Sequence, residues 1–307
     1  MAKIEYFYPS YTRKALTFTI DDGNLRYDRI FLDILKPVGI KGTFNLCSNI
    51  NSASPDLLRS FYEGYEIANH VKYHPLVNLD GVEYDLSEKI FDEKKADPSK
   101  IYKVDGSDVF FWVIKPNGWR QMTWQNDYVR FTEEGKAELE SIFGEGEVRD
   151  FVWPYAEQNN SFVKDAVMRT HRSARKTGCT LDTTGFALPS DRYAWTYNAY
   201  DMNLLEVMEK YEAYGDDGEL KFFAFGVHSA DFERDGKWDD LRAFADKYGN
   251  RPGDFWYAAV GEIFDYEDAV RALEINDNFI YNPSDLDVFV TIDGEKRVVA
   301  PHSQIKI

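Results

Sequence analysis

The stretch Leu16-Thr17-Phe18-Thr19-Ile20-Asp21-Asp22-Gly23 sets a β-branched and aromatic run against two adjacent carboxylates and a glycine. Its first five residues have strand composition, and the glycine stops the strand abruptly. Neighbouring aspartates repel when both ionise in a partly desolvated place, so such a pair calls for a cation or a shared proton nearby. A plain strand running into an Asp-Gly turn would account for the same letters. The partners that decide between these readings have to come from elsewhere in the chain.

Outward from this stretch, the segment from Asp28 to Leu35 spaces Ile30, Phe31 and Ile34 as a helix would, and Pro37 and Gly39 end it. Gly42–Leu46 reads as a second strand. Ser54-Pro55-Asp56 is a capped helix start with Gly64 as its stop, and Glu66–His70 is a third strand. Strand and helix in alternation predict parallel α/β units. The pattern returns as a strand at Phe151–Pro154, a helix at Ser161–Thr170, the apolar run Lys221–Val227 and a helix at Trp238–Tyr248. Between Leu76 and about Arg130 it fails. This charged, loop-like stretch, with Trp112, Trp119 and Trp124 in its second half, reads as an insertion, and helical spacing resumes at Thr132–Phe143. Near the end, Asp287–Ile292 alternates and Asp293-Gly294 turns it back into Arg297-Val298-Val299, a β-hairpin. The chain therefore divides into a main domain over 1–275, interrupted at about 76–130, and a small C-terminal β appendage over 276–307.

A chain of 307 residues can bury a large core. Its 36 basic and 53 acidic residues leave a net charge of −17, which excludes nucleic acid and anionic membrane surfaces as partners because both need basic patches. Cys47 and Cys179 have no CxxC spacing; they read as two unrelated buried thiols, with one disulfide between them as the alternative. No apolar stretch approaches the ~20 residues of a membrane span, so membrane insertion is not expected. The start, Met1 to Tyr6, lacks the apolar core of a signal peptide and reads as cytoplasmic, although a secreted chain trimmed of its leader would read identically.

Of the five histidines, His70 and His74 lie four residues apart, a spacing that predicts one face of a helical turn able to grip a single ion. The pair follows a strand end, as Asp21-Asp22 does, and in parallel α/β folds the carboxyl ends of strands converge on the active site. Two imidazoles and one carboxylate would leave coordination positions open for water and substrate. One aspartate would then bind the ion while the other stays free as a base. In Phe151–Asn159, Pro154-Tyr155 sets a rigid turn whose backbone N–H can face the site. In the run from Phe222 to Phe232 an apolar strand delivers His228 at its end, a candidate general acid. His171 and His302 read as structural.

These four elements, in this order, resemble the polysaccharide deacetylase family, carbohydrate esterase family four, over roughly Leu16 to Glu267. The first family motif, Thr/Ser-Phe-Asp-Asp-Gly, matches Thr19-Ile20-Asp21-Asp22-Gly23. The second, His-Ser/Thr-x-x-His, matches His70-Val71-Lys72-Tyr73-His74, with Val71 lacking the usual loop-bracing hydroxyl. The third, Arg-x-Pro-Tyr, aligns with Val152-Trp153-Pro154-Tyr155, and the last, Leu-x-His, with Gly226-Val227-His228. The resemblance implies a distorted (β/α) barrel that removes acetyl groups from an N-acetylated, or O-acetylated, carbohydrate. It makes Asp21 the base, and Asp22, His70 and His74 the ligands of one divalent metal ion, zinc being favoured. Tyr155 would give the oxyanion its backbone N–H, and His228 would protonate the leaving group. Val152 stands where the family has the arginine that orients the base, so Arg175 or Arg172 has to reach in instead. Trp153 and Trp195 are candidates for stacking on sugar faces. Two other readings compete: a non-haem iron oxygenase built on the His-His-Asp set, and a non-catalytic carbohydrate-binding relative.

Overall fold

The computed structural model of the protein describes residues 2–49, 53–77, 101–103, 111–115, 118–156, 160–179 and 186–307. Seven parallel strands form its centre: β1 (Lys14–Asp22), β2 (Gly42–Leu46), β3 (Glu66–Asn69), β4 (Asp150–Val152), β5 (Ser173–Cys179), β6 (Trp195–Tyr197) and β7 (Lys221–His228). They lie side by side in the order β6-β5-β4-β3-β2-β1-β7. The backbone after β6 then meets β7 through a parallel bridge between Ala199 and Phe225, with Gly226 N–H donating to Ala199 O at 2.9 Å. The sheet thus closes on itself almost completely, as a (β/α) barrel does. Its distortion is local. β3 and β4 share only the pair Asn69 and Phe151, and the register between β5 and β6 shifts between Arg175 and Cys179.

Helices α1 (Leu25–Leu35), α2 (Pro55–Phe61), α3 (Gln125–Phe143), α4 (Ser161–Thr170), α5 (Leu204–Ala213), α6 (Ser229–Arg234), α7 (Trp238–Tyr248) and α8 (Val260–Ala272) pack around the barrel. Asn24, Ser54 and Asn160 cap α1, α2 and α4 by accepting backbone N–H bonds, which satisfies donors that a helix start otherwise leaves bare. The outward apolar positions of β1 and β7 meet α1 and α7 in a buried aromatic cluster: Phe18 stacks on Phe225 with centroids 4.8 Å apart and meets Phe31 and Phe244 edge-on. Inward positions are polar, and Thr17, Thr19, Asp21, Asn45 and Arg175 are all buried.

The stretch read from sequence as loop-like holds a four-stranded sheet among its described residues, in the order 76–77, 118–123, 111–115, 101–103. α3 begins at Gln125, earlier than the helical spacing at Thr132 indicated, because Tyr128 and Phe131 already face a core of Val71, Phe151 and Trp153. The C-terminal hairpin, Val288–Ile292 with Glu295–Val299, is extended by Ile4–Phe7 on its other side, and strands 274–275, 279–282 and 303–306 form a second small sheet. That pairing joins segments some 285 residues apart, a distance over which local sequence pattern carries no register. Among the described residues no helix is long and apolar enough to cross a membrane.

Candidate active site

The carboxyl ends of the strands bring the sequence-predicted residues together. Asp21 and Asp22 end β1; His70 follows β3; Pro154-Tyr155 follows β4; Arg175 projects from β5; and His228 ends β7. The parallel register sets His228 directly beside Asp21, and Asp21 beside Asn45 of β2. Chain path near these residues is unusual. Asp22, Val71, His74 and Tyr155 all have positive φ, at 74°, 64°, 52° and 52°. Non-glycine residues pay for that conformation, Val71 most as a β-branched residue, and such strain gathers where neighbours force a functional geometry.

The segment from His70 to His74 is a turn and not the helical turn that the four-residue spacing suggested. The left-handed residues at Val71 and His74 bring the two rings together instead, 4.6 Å apart and edge to face. Asp22 Oδ1 lies 3.5 Å from His70 Nε2 and 3.6 Å from His74 Nε2. Asp22, His70 and His74 are the one trio of His, Cys, Asp or Glu among the described residues whose ligand atoms all fall within 4.8 Å of one another. His70 Nδ1 bonds to Val152 O at 2.9 Å, which leaves its Nε2 lone pair facing Asp22, the orientation a metal ligand needs. So Val152, whose side chain lacks a guanidinium, still braces a histidine through its carbonyl. The trio is open on one side, with the Asp22 side chain half-exposed, which suits a divalent cation that must also admit water and substrate.

The charges agree with this. Burial raises the Asp22 carboxyl, but His70, His228 and His74 outweigh it and hold the group well below the carboxylate range. Burial and the neighbouring His70 push the His74 imidazole down to about 3, against the pull of Asp22 and Asp21, so it is neutral at ordinary pH. Asp21, buried, is raised by desolvation but lowered more by Arg175, His70 and His228. Arg175 Nη2 donates to its Oδ1, as does Asn45 Nδ2 at 2.7 Å; none of the described hydrogen bonds goes to Oδ2. Arg175 sits on β5 as the register neighbour of Val152 on β4, so the guanidinium arrives from one strand over. Arg172 does not reach in. It is spent at the other end of the barrel on Asp150, Glu66 and Asp265.

His228 Nε2 faces Asp22 Oδ2 at 3.8 Å, and its Nδ1 meets Asp231 Oδ2 at 3.0 Å. Burial lowers this imidazole, but Asp231, Asp21 and Asp22 outweigh burial and raise it to about 9. A cation between Asp22 and the histidines would cancel part of that pull. Tyr155 lies edge-on to His74 at 4.5 Å, in the turn at Pro154–Ala156. Trp153 and Trp195 do not face a sugar. They are 1 % and 4 % exposed, packed on Phe151 and Tyr128 and on Phe222 and Phe264 respectively. His171 is buried against Asn69 and Thr170, and His302 pairs with Asp285. Cys47 is a free buried thiol donating to His70 O at 3.2 Å, while the Cys179 side chain lies outside the described residues.

Asn45, Asn69 and Asp231 are the supporting residues that sequence reasoning passed over. Asn69 Oδ1 accepts Val71 N–H at 3.0 Å and its Nδ2 donates to Thr132 O at 2.8 Å, so it does the bracing that a hydroxyl at 71 would have done. Asn45 and Asp231 carried a signal: an asparagine at the inward position of a buried strand, and an acid one helical turn after a histidine.

The family model for polysaccharide deacetylases matches residues 9–172, more than half of the chain. The chain belongs to the polysaccharide deacetylase family, whose members generally use a divalent metal. Among solved structures it is similar to the Xyl-CE4 domain of a multidomain xylanase from the hindgut metagenome of Trinervitermes trinervoides, at 15 % identity over 84 % of this chain and 93 % of that one, TM-score 0.46. It is similar to peptidoglycan deacetylase PdaC from Bacillus subtilis at 13 % identity, 85 % and 94 % coverage and TM-score 0.46. A mutant of a CE4 family pseudoenzyme matches at 12 % identity, 81 % and 67 % coverage and TM-score 0.45.

Proposed function

We propose that the protein hydrolyses the acetyl group of an N-acetylated carbohydrate, using one divalent cation, zinc by preference, held by Asp22, His70 and His74. The observation that carries this is the convergence of those three ligand atoms beside an Asp21 already gripped by Arg175 and Asn45. A cation there supplies Lewis acidity to the acetyl carbonyl and acidifies the attacking water. The two donors on Asp21 Oδ1 leave Oδ2 to take the proton from that water. The Tyr155 backbone N–H is the oxyanion donor. His228, anchored through Nδ1 on Asp231, gives its Nε2 proton to the departing amine, or to the alkoxide of an O-acetyl ester. An oxygenase reading of the same trio has no use for Asp21 or His228. The non-catalytic reading rested on a missing arginine, and Arg175 reaches Asp21 in its place.

The test is metal analysis of the purified protein together with acetate release from N-acetylated and O-acetylated oligosaccharides. One equivalent of metal, lost in His70→Ala and His74→Ala, is expected. Asp21→Asn and His228→Ala should keep the metal and lose about 10²–10⁴ in turnover, the usual cost of removing a general base or acid. Full metal occupancy in both His→Ala proteins, or no acetate from any substrate by the loaded wild type, would defeat the proposal.

A further inference from the structure

Arg175 is completely buried, yet its Nη2 alone has a hydrogen-bonded partner, Asp21; Nε and Nη1 have none among the described residues. A guanidinium held by one hydrogen bond can swing about it, since its fixed fork of donors is what normally defines its plane. Something else has to set that plane. The Tyr197 ring, at the end of β6, has its centre 5.4 Å from the guanidinium carbon, within the range of a cation–π contact.

The ring has a seat prepared for it. A Cβ at Gly226 would lie 2.1 Å from Tyr197 Cδ1 and 2.4 Å from Cε1 and Cγ, far inside the 3.4 Å at which ordinary contact begins. Gly226 cannot retreat, because its N–H closes the barrel on Ala199 O and it stands in register with Thr19 of β1. Any side chain at 226 therefore drives the ring about an ångström from its present place.

We propose that Tyr197 and Gly226 are positioning residues for the hydrolysis: the ring, seated on bare backbone at Gly226, turns its face to Arg175 and fixes the guanidinium on Asp21. The proposal rests on Asp21 being the base. It explains how an arginine entering from β5 is held without the hydrogen bonds a buried arginine usually makes. The contact acts through Arg175, and neither Tyr197 nor Gly226 belongs to the ligand trio, so it bears on turnover and not on metal binding.

The experiment compares Gly226→Ala, Tyr197→Leu and Tyr197→Phe in the full chain loaded with zinc. It records metal per chain, kcat and KM on an N-acetylated chito-oligosaccharide, and the Nε–H cross-peak of Arg175 in a nitrogen-15 spectrum, assigned by its loss in Arg175→Lys. Tyr197→Leu and Gly226→Ala should lower kcat by about 10- to 100-fold, the cost of misplacing a catalytic group by roughly an ångström. KM and metal content should stay near wild type, and the Arg175 peak should move. Tyr197→Phe, which keeps the ring face, should restore kcat to within a few-fold and return the peak. A folded Tyr197→Leu protein with wild-type kcat and an unmoved peak overturns the proposal. So does a Tyr197→Phe protein as impaired as Tyr197→Leu, since the hydroxyl and not the ring face would then be acting. If Gly226→Ala fails to fold, the Leu and Phe pair decides alone. Should the wild type hydrolyse no acetylated sugar, the functional reading falls, and the Arg175 peak in the metal-free variants still decides the clamp.

Discussion

Asp28 holds a carboxyl with no exposed surface in the first turn of α1, where it accepts from Tyr62 Oη at 2.7 Å and from Ser229 Oγ at 2.5 Å. Burial pushes its pKa up to about 6, the two hydroxyl donors pull it back, and Asp22 adds to the rise. The folded pKa is thus raised above the unfolded value of about 3.9, so the folded state keeps a proton that the unfolded chain releases. Its contribution to stability is complete below pH ~4 and is lost as pH rises through 6, amounting to about 3 kcal/mol. Asp28→Asn cannot titrate. Urea unfolding at pH 4, 5, 6 and 7 should therefore show the variant gaining on the wild type by up to that amount as pH rises. A stability difference independent of pH would mean that Asp28 ionises as an exposed aspartate does. Because Ser229 follows His228 directly, the same carboxyl also ties the start of α6 to α1 beside the site.

Between elements, the turn carrying His70 and His74 depends on α3 more than on its own strand. Lys72 N–H donates to Phe131 O at 3.3 Å, Asn69 Nδ2 donates to Thr132 O, and Gly135 leaves a gap where a Cβ would stand 3.0 Å from Asn69 Oδ1. Asn69→Ala strands the Val71 N–H and His171 Nε2 in a buried place and removes the second donor on the Thr132 carbonyl. The expected cost is about 2–4 kcal/mol in the metal-free protein, measured by denaturant unfolding. Zinc affinity should fall by about 10- to 100-fold, the usual effect of removing a group that orients a ligand. Unchanged affinity in a destabilised variant would show that the turn holds its shape without Asn69. This dependence also marks where the sequence stopped being legible. β1 and β7 were readable because their β-branched, aromatic and apolar runs end in carboxylate or imidazole side chains. The His turn was misread as helical because a four-residue spacing brings two rings together in a helix and, equally, in a turn with two left-handed residues. Which arginine meets Asp21 was undecidable in advance, since Arg172 just precedes β5 and Arg175 lies three residues on within it, and only the folded barrel separates them.

At the scale of the molecule, the site occupies the carboxyl end of the barrel and the terminal sheets the other. α8 starts at the feet of β2 and β3, with Val260 N–H donating to Thr43 Oγ1 at 3.0 Å and Gly261 N–H to Glu66 Oε2 at 2.9 Å. Further along α8, Tyr266 Oη donates to Phe7 O and accepts Phe289 N–H at 2.9 Å, stitching the N-terminal strand and the C-terminal hairpin to one helix. Val270 packs against both the cluster around Tyr8, Phe222 and Phe264 and the one around Ile280, Val288 and Val290. An independently folded appendage would not share apolar cover in this way, so we expect residues 276–307 to unfold together with the barrel. Tyr266→Phe tests it. Leaving a part-buried N–H and a carbonyl without partners costs about 1–3 kcal/mol, or roughly 2–5 °C in Tm for a chain of this size. The drop should appear in the main thermal transition, with acetate release unchanged because the hydroxyl lies at the opposite end from Asp21. Hydrogen exchange at Phe289, in Ile4–Phe7 and in β1 should quicken together. If exchange quickens only in the terminal strands while the main transition stays put, the hairpin opens on its own and the molecule is two cooperative units.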